Sequence, residues 1–117
     1  GGEMKDEWKE LWVSEVNILD GEPDSCLECP IALAMNEELE KLGIYKKYRT
    51  HIGGSKSMKL ENYDEEEAPH LYVDIFEKDR QDVDEFISEF DSTHDETYPL
   101  PLPMRFRYRI VDKKEGK

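Results

Sequence analysis

The stretch Met104-Arg105-Phe106-Arg107-Tyr108-Arg109-Ile110-Val111, MRFRYRIV, decides the fold of this chain. Apolar side chains alternate with arginines, and alternation with period two is typical of a strand that has one face on a core and one in water. The three arginines are expected either to pair with acids on a neighbouring strand, such as Asp74, or to form a separate basic patch. The apolar face must pack against other elements.

Two segments upstream of this strand predict helices. Residues 30–42 begin with Pro30, which suits the first helical position, and they stop at Gly43, which accepts the left-handed conformation that closes helices. Residues 79–90 carry the clearest amphipathic pattern, with apolar side chains at positions i, i+3, i+4 and i+7. These side chains are Val83, Phe86, Ile87 and Phe90.

Several other segments predict strands. Residues 44–52 are rich in β-branched and aromatic side chains, and the pair Gly53-Gly54 then turns the chain toward a short partner strand at residues 57–60. Residues 71–76 predict a further strand. Two alternatives stay open near the N-terminus, because Trp8, Leu11 and Trp12 have helical spacing while residues 11–16 could equally form a strand.

The length of 117 residues suits one domain, since domains cluster near about 100–150 residues. The order of elements indicates a single α+β domain over residues 4–112, with two helices packed on a mostly antiparallel sheet of four or five strands. Residues 1–3 precede the first methionine and are expected to be a cloning remnant. Residues 113–117 are expected to be a flexible charged tail.

The chain carries 29 acidic residues against 16 lysines and arginines, which gives a net charge of −13. This excess argues against direct binding to nucleic acid or to an anionic membrane, because lysine and arginine supply the affinity there. It permits steered association with a basic host protein, although the same charge could serve solubility alone. The candidate binding residues are Asp64, Glu65, Glu66, Glu67, Asp82, Asp84 and Glu85, and residues 91–96 form a further acidic cluster.

The two cysteines, Cys26 and Cys29, are separated by two residues and directly precede Pro30. A zinc site would need two further ligands, which His51 and His70 could supply from strands. In a redox pair, the helix would acidify Cys29 at its N-cap, but apolar surroundings would oppose that effect. A nucleophilic cysteine would need a base that the sequence does not place. The preferred interpretation is that both are small buried residues fixing the approach into the helix.

Cys26 and the run Cys29-Pro30-Ile31-Ala32-Leu33-Ala34 resemble the signature of a family of small uncharacterised proteins of tailed bacteriophages. The similarity continues at residues 13–21, at FISEFD in residues 86–91 and at residues 103–110.

The resemblance covers residues 12–111 in order, except that residues 52–69 are longer and more acidic than the family pattern. It implies a phage gene product acting in the host bacterial cytoplasm. It implies no activity, cofactor or catalytic residue. The absence of an apolar run of 18 residues, and of a basic-then-apolar pattern at the N-terminus, also leads us to expect a soluble intracellular protein.

The sequence is therefore compatible with two classes of function. The first is a non-catalytic protein-binding factor for host takeover or anti-defence, which includes presenting carboxylates where the phosphates of a nucleic acid would lie. The second is a thiol-redox or zinc-binding protein that uses Cys26 and Cys29. The sequence shows no phosphate-binding loop, Ser-His-Asp set or framed pair of catalytic carboxylates, so we predict no catalytic residue and no cofactor, and we prefer the first class.

Overall fold

The structure is a computed structural model that describes residues 8–44, 48–62 and 70–111. The helices and strands are β1 (Lys9–Val13), α1 (Glu15–Asp20), α2 (Pro30–Leu42), β2 (Tyr48–Ile52), β3 (Met58–Asn62), β4 (Leu71–Ile75), α3 (Arg80–Asp91) and β5 (Met104–Val111). Single turns of 3-10 helix, Glu77–Asp79 and Ser92–His94, flank α3. The predicted α+β class is confirmed. Within the described ranges, no helix is long and apolar enough to cross a bilayer.

The five strands form one antiparallel sheet in the order β1-β5-β4-β3-β2. The last strand of the chain lies between the first strand and β4, so β5 joins β1 to the rest of the sheet. In the register, Leu11 is opposite Phe106, and Asp74 is opposite Arg109. The pairing therefore brings an acid and an arginine that are far apart in sequence onto adjacent strands.

One face of the sheet packs on the core. Phe106 and Tyr108 of β5 are buried, whereas Arg105 and Arg107 are exposed, as the alternation in MRFRYRIV predicts. Buried side chains of this face and of all three helices form a single hydrophobic cluster. Its members include Leu11, Val13, Ile18, Ile31, Met35, Leu39, Leu60, Ile75, Val83, Phe86, Phe90, Phe106 and Tyr108.

The two predicted helices are confirmed, α2 with the predicted bounds and α3 shifted by one residue at each end. Helix α2 has Pro30 at its start and ends before Gly43, whose φ of 81° is left-handed. Helix α3 begins at Arg80 rather than at Asp79 and buries Val83, Phe86 and Phe90.

The N-terminal segment settles the alternative left open by the sequence. Residues 9–13 form a strand, so the helical interpretation of Trp8 to Trp12 is wrong, and the strand ends at Val13 rather than continuing to residue 16. It ends there because Ser14 caps the short helix α1, which the sequence did not predict. The Asn17 amide donates to Ser14 Oγ at 3.2 Å, and the Ser14 amide donates to Asn17 Oδ1 at 2.9 Å.

The outward-pointing amides of edge strand β2 are bonded to other parts of the fold. Its outward-pointing amides at Tyr48, Thr50 and Ile52 donate to the Ile44 carbonyl at 3.1 Å, to Asn36 Oδ1 at 3.3 Å and to the Cys26 carbonyl at 2.8 Å. These bonds occupy amides that could otherwise donate to a strand of another chain. The expected remnant at residues 1–3 and the expected tail at residues 113–117 lie outside the described residues.

Candidate functional site

Charge is divided between the helices and the strands. The three helices carry ten acids and two basic residues, whereas the five strands carry three acids and six lysines or arginines. The helices thus have a net charge of −8 and the strands a net charge of +3, in a chain whose overall charge is −13. This division defines two candidate binding surfaces, the acidic helices and the outer face of the sheet.

The carboxylates of the helices are mostly unpaired. Within the described part of the chain, one ion pair reaches a helix carboxylate, between Lys41 Nζ and Glu38 Oε1 at 3.9 Å. On α3, Asp82, Glu85 and Glu89 are exposed, and the partner of Glu85 is the neutral amide of Gln81 at 3.1 Å. Among the described residues, Lys41 is thus the one cation that pairs with an acid of this surface.

Asp84 belongs to the predicted acidic surface but also holds a turn. Its carboxylate accepts the Ser55 amide at 2.8 Å and the Ser55 hydroxyl at 2.7 Å, and Ser55 is buried. These bonds fix the turn between β2 and β3 against α3. The remaining predicted acids, Asp64, Glu65, Glu66 and Glu67, lie outside the described residues.

On the outer face of the sheet, the strand acids are matched by cations. Asp74 receives Arg109 Nε at 3.1 Å and Arg80 Nη2 at 3.3 Å, and its side chain is only 10% exposed. Of the two alternatives for the arginine stripe, pairing with Asp74 is therefore borne out for Arg109. Glu61 is likewise paired, with Arg49 Nε at 3.0 Å and Lys59 Nζ at 3.5 Å.

Arg107 is fixed by a carboxylate and by an aromatic ring. Its Nε and Nη2 atoms both donate to the Asp79 carboxylate at 3.0 Å, and its guanidinium carbon lies 4.0 Å from the centre of the Phe76 ring. The side-chain bond from Arg107 holds the pKa of Asp79 below its usual value. Trp8 packs edge-to-face on Phe76 at 5.1 Å.

A cleft of about 710 Å³ opens beside this face, between the β2–β3 turn, β4 and the start of α3. Its charged lining consists of Lys56, Lys59, Arg80 and the single carboxylate Asp74, and its ring side chains are Tyr72 and His51. The charged residues of the lining are thus mainly cations, in a chain dominated by acids. Sequence reasoning identified the turn at Gly53-Gly54 but not the cleft, because the cleft depends on residues from four strands, a helix and a turn.

The two cysteines differ in exposure. Both are free thiols, but Cys26 is exposed and Cys29 is buried, so the prediction that both are buried is wrong for Cys26. Cys26 lies in the loop before α2. Its backbone carbonyl accepts the Ile52 amide of β2, and its side chain is exposed to solvent. Cys29 is the N-cap of α2, as predicted, but its side chain makes no capping hydrogen bond. Burial raises the pKa of the Cys29 thiol.

The described residues do not assemble a metal site around these cysteines. No three of their His, Cys, Asp and Glu side chains come together in an arrangement that could hold a metal ion. His70 instead accepts the Asn62 amide at 3.2 Å through Nδ1, and His51 lies on β2 opposite Lys59. A search of protein families, characterised proteins and solved structures finds no match to this chain.

Proposed function

We propose that this chain is a non-catalytic binding protein whose acidic helices α2 and α3 bind a basic partner protein. The observation that carries the proposal is the surplus of helix carboxylates without a cationic neighbour, ten acids against two basic residues. The strand acids, by contrast, each have a cationic partner. The resemblance to a tailed-phage family leads us to propose a host-takeover or anti-defence role in the bacterial cytoplasm.

The fold suits such a role because the exposed acids belong to helices that pack on the hydrophobic core. Helix α3 is held to the core by Val83, Phe86 and Phe90, so the exposed carboxylates on its other side keep their relative positions. Fixed charges of one sign accelerate encounter with a partner of the opposite sign, and this acceleration weakens as salt screens the charges. Presenting carboxylates in place of nucleic-acid phosphates would be one form of this recognition.

The alternative of a thiol-redox or zinc-binding protein has less support. A redox pair needs an accessible thiol with a low pKa, whereas Cys29 is buried and its pKa is raised by that burial. Exposed Cys26 lies in a loop, before the helix that would acidify a thiol.

The proposal is tested by capture from bacterial lysate with tagged protein, read by mass spectrometry at low and high salt. The test variant is D82N/E85Q/E89Q, which neutralises three exposed acids of α3. Its matched control is E22Q/E28Q/E96Q, which neutralises three exposed acids of the loops. We expect a basic protein to be captured by the parent and the control at low salt only, and to be lost with the α3 variant. Equal capture by both variants would contradict the proposal.

A further inference from the structure

We propose that the cleft beside the outer sheet face binds a small phosphorylated ligand that carries a planar ring. This site is separate from the acidic helices and goes beyond the function proposed above. Its residues are Lys56, Lys59, Tyr72 and Arg80, with Ser57 at the rim.

Two described acids at or beside the cleft each contact two cations, so cations outnumber these acids there. Asp74, the carboxylate in the lining, is shared by Arg80 and Arg109. Glu61, which contacts Lys59 at 3.5 Å, is also bound by Arg49 at 3.0 Å. Lys56 is exposed and makes no ion pair with any residue that the structure describes. Even with Asp84 of the turn included, the described residues around the cleft therefore carry more positive than negative charge, in a chain of net charge −13.

The turn that carries Lys56 is fixed before any ligand arrives. The Asp84 carboxylate binds the amide and hydroxyl of Ser55, and the Gly53 amide donates to the Ser57 carbonyl at 2.7 Å. Ser55 is buried, whereas Lys56 and Ser57 are exposed. The turn thus holds an ammonium group and a hydroxyl at the cleft, and a binding site that is already ordered loses less entropy when it binds.

The size and lining of the cleft favour a small molecule over a polymer. Its volume of about 710 Å³ lies within the usual range for small-molecule sites. Tyr72 is half-buried in the wall and offers a ring on which a planar group can stack. Lysine ammonium and arginine guanidinium groups are the usual partners of phosphate oxygens. A nucleic-acid strand would meet the repulsion of the whole acidic chain, whereas one phosphate monoester meets mainly the local cations.

The test is a titration of isotope-labelled protein with AMP and, separately, with adenosine, followed by the backbone amide signals of residues 54–59 and 72. The test variant is K56Q/K59Q. The matched control is K9Q/K41Q, which removes two lysine charges outside the cleft. Thermal melts confirm that both variants are folded.

We expect AMP to shift these signals saturably below about 10 mM in the parent and the control, and to bind at least about tenfold more weakly to K56Q/K59Q. Adenosine should bind at least about tenfold more weakly than AMP, because it lacks the phosphate. The absence of saturable shifts, equal binding of adenosine, or unchanged binding to K56Q/K59Q would each overturn the assignment.

Discussion

The outer face of the sheet and the surface of the helices differ in whether their carboxylates have cationic partners. On the sheet, each strand acid has a cationic partner: Glu10 with Arg105 at 3.9 Å, Glu61 with Arg49 at 3.0 Å, and Asp74 with Arg109 at 3.1 Å. On the helices of the described chain, one carboxylate has a cationic neighbour, Glu38 with Lys41 at 3.9 Å. The strand acids are therefore paired with cations within the fold, while most helix carboxylates have no cationic neighbour among the described residues.

This difference predicts where a substitution should affect folding and where it should affect binding. Partly buried charges that lose a partner destabilise a fold, because the remaining charge stays away from water. Exposed carboxylates without partners contribute little to stability, and their loss should change association instead.

The largest expected effect concerns the apolar side of α3. Phe86→Ala should lower the free energy of unfolding by about 3–5 kcal/mol, because it leaves a cavity in the core beneath the acidic surface. Denaturant unfolding measures this loss. The control on the same helix is Glu85→Gln, which should change stability by less than about 0.5 kcal/mol. A near-neutral Phe86→Ala would mean that α3 is not anchored by its apolar face.

The second effect concerns the matched charges of the sheet. Asp74→Asn should lower the free energy of unfolding by about 2–3 kcal/mol, because two arginines lose a carboxylate that is only 10% exposed. The control is Asp82→Asn on α3, whose carboxylate is exposed. If both variants had the same free energy of unfolding, the pairing of acids on the sheet would not contribute to stability.

The third effect is smaller and depends on pH. Because the pKa of Asp79 is lowered chiefly by its hydrogen bond from Arg107, this pair stabilises the fold above the usual carboxyl pKa and loses its effect as pH falls through the depressed value. Asp79→Asn should therefore cost about 1 kcal/mol at neutral pH and progressively less in acid. Unfolding curves of parent and variant at several pH values measure the difference. A cost that stays constant with pH would contradict the assigned cause.

Local patterns in the sequence predicted much of the fold. The alternation in MRFRYRIV predicted the buried and exposed faces of β5 and named Asp74 as an arginine partner, and Pro30 and Gly43 marked the ends of α2. Helix α1 was not predicted because its burial does not follow side-chain polarity: the apolar Val16 and Leu19 are exposed, while the polar Asn17 is buried. No helix periodicity of apolar residues marks such a segment.

The candidate sites were less predictable, since they depend on contacts between distant residues. Nothing local indicates that Asp84 would bind Ser55, 29 positions away, rather than stand free in the acidic surface. The cleft likewise needs the hairpin register and the start of α3 to bring Lys56, Lys59 and Arg80 together. Nor does any local pattern indicate that the loop of Cys26 meets the edge of β2, where the Cys26 carbonyl accepts the Ile52 amide at 2.8 Å.

The most direct test of the central claim is the association rate of the captured basic partner as a function of salt. The rate would be measured by stopped flow for the parent, for D82N/E85Q/E89Q and for the loop control E22Q/E28Q/E96Q, between about 50 and 300 mM salt, a range over which screening of surface charges changes strongly. We expect the α3 variant to associate more slowly at low salt and with a shallower salt dependence, while its stability stays within about 0.5 kcal/mol of the parent. A salt-independent rate, or an α3 variant that associates as fast as the loop control, would contradict the claim that the helix acids recognise a partner.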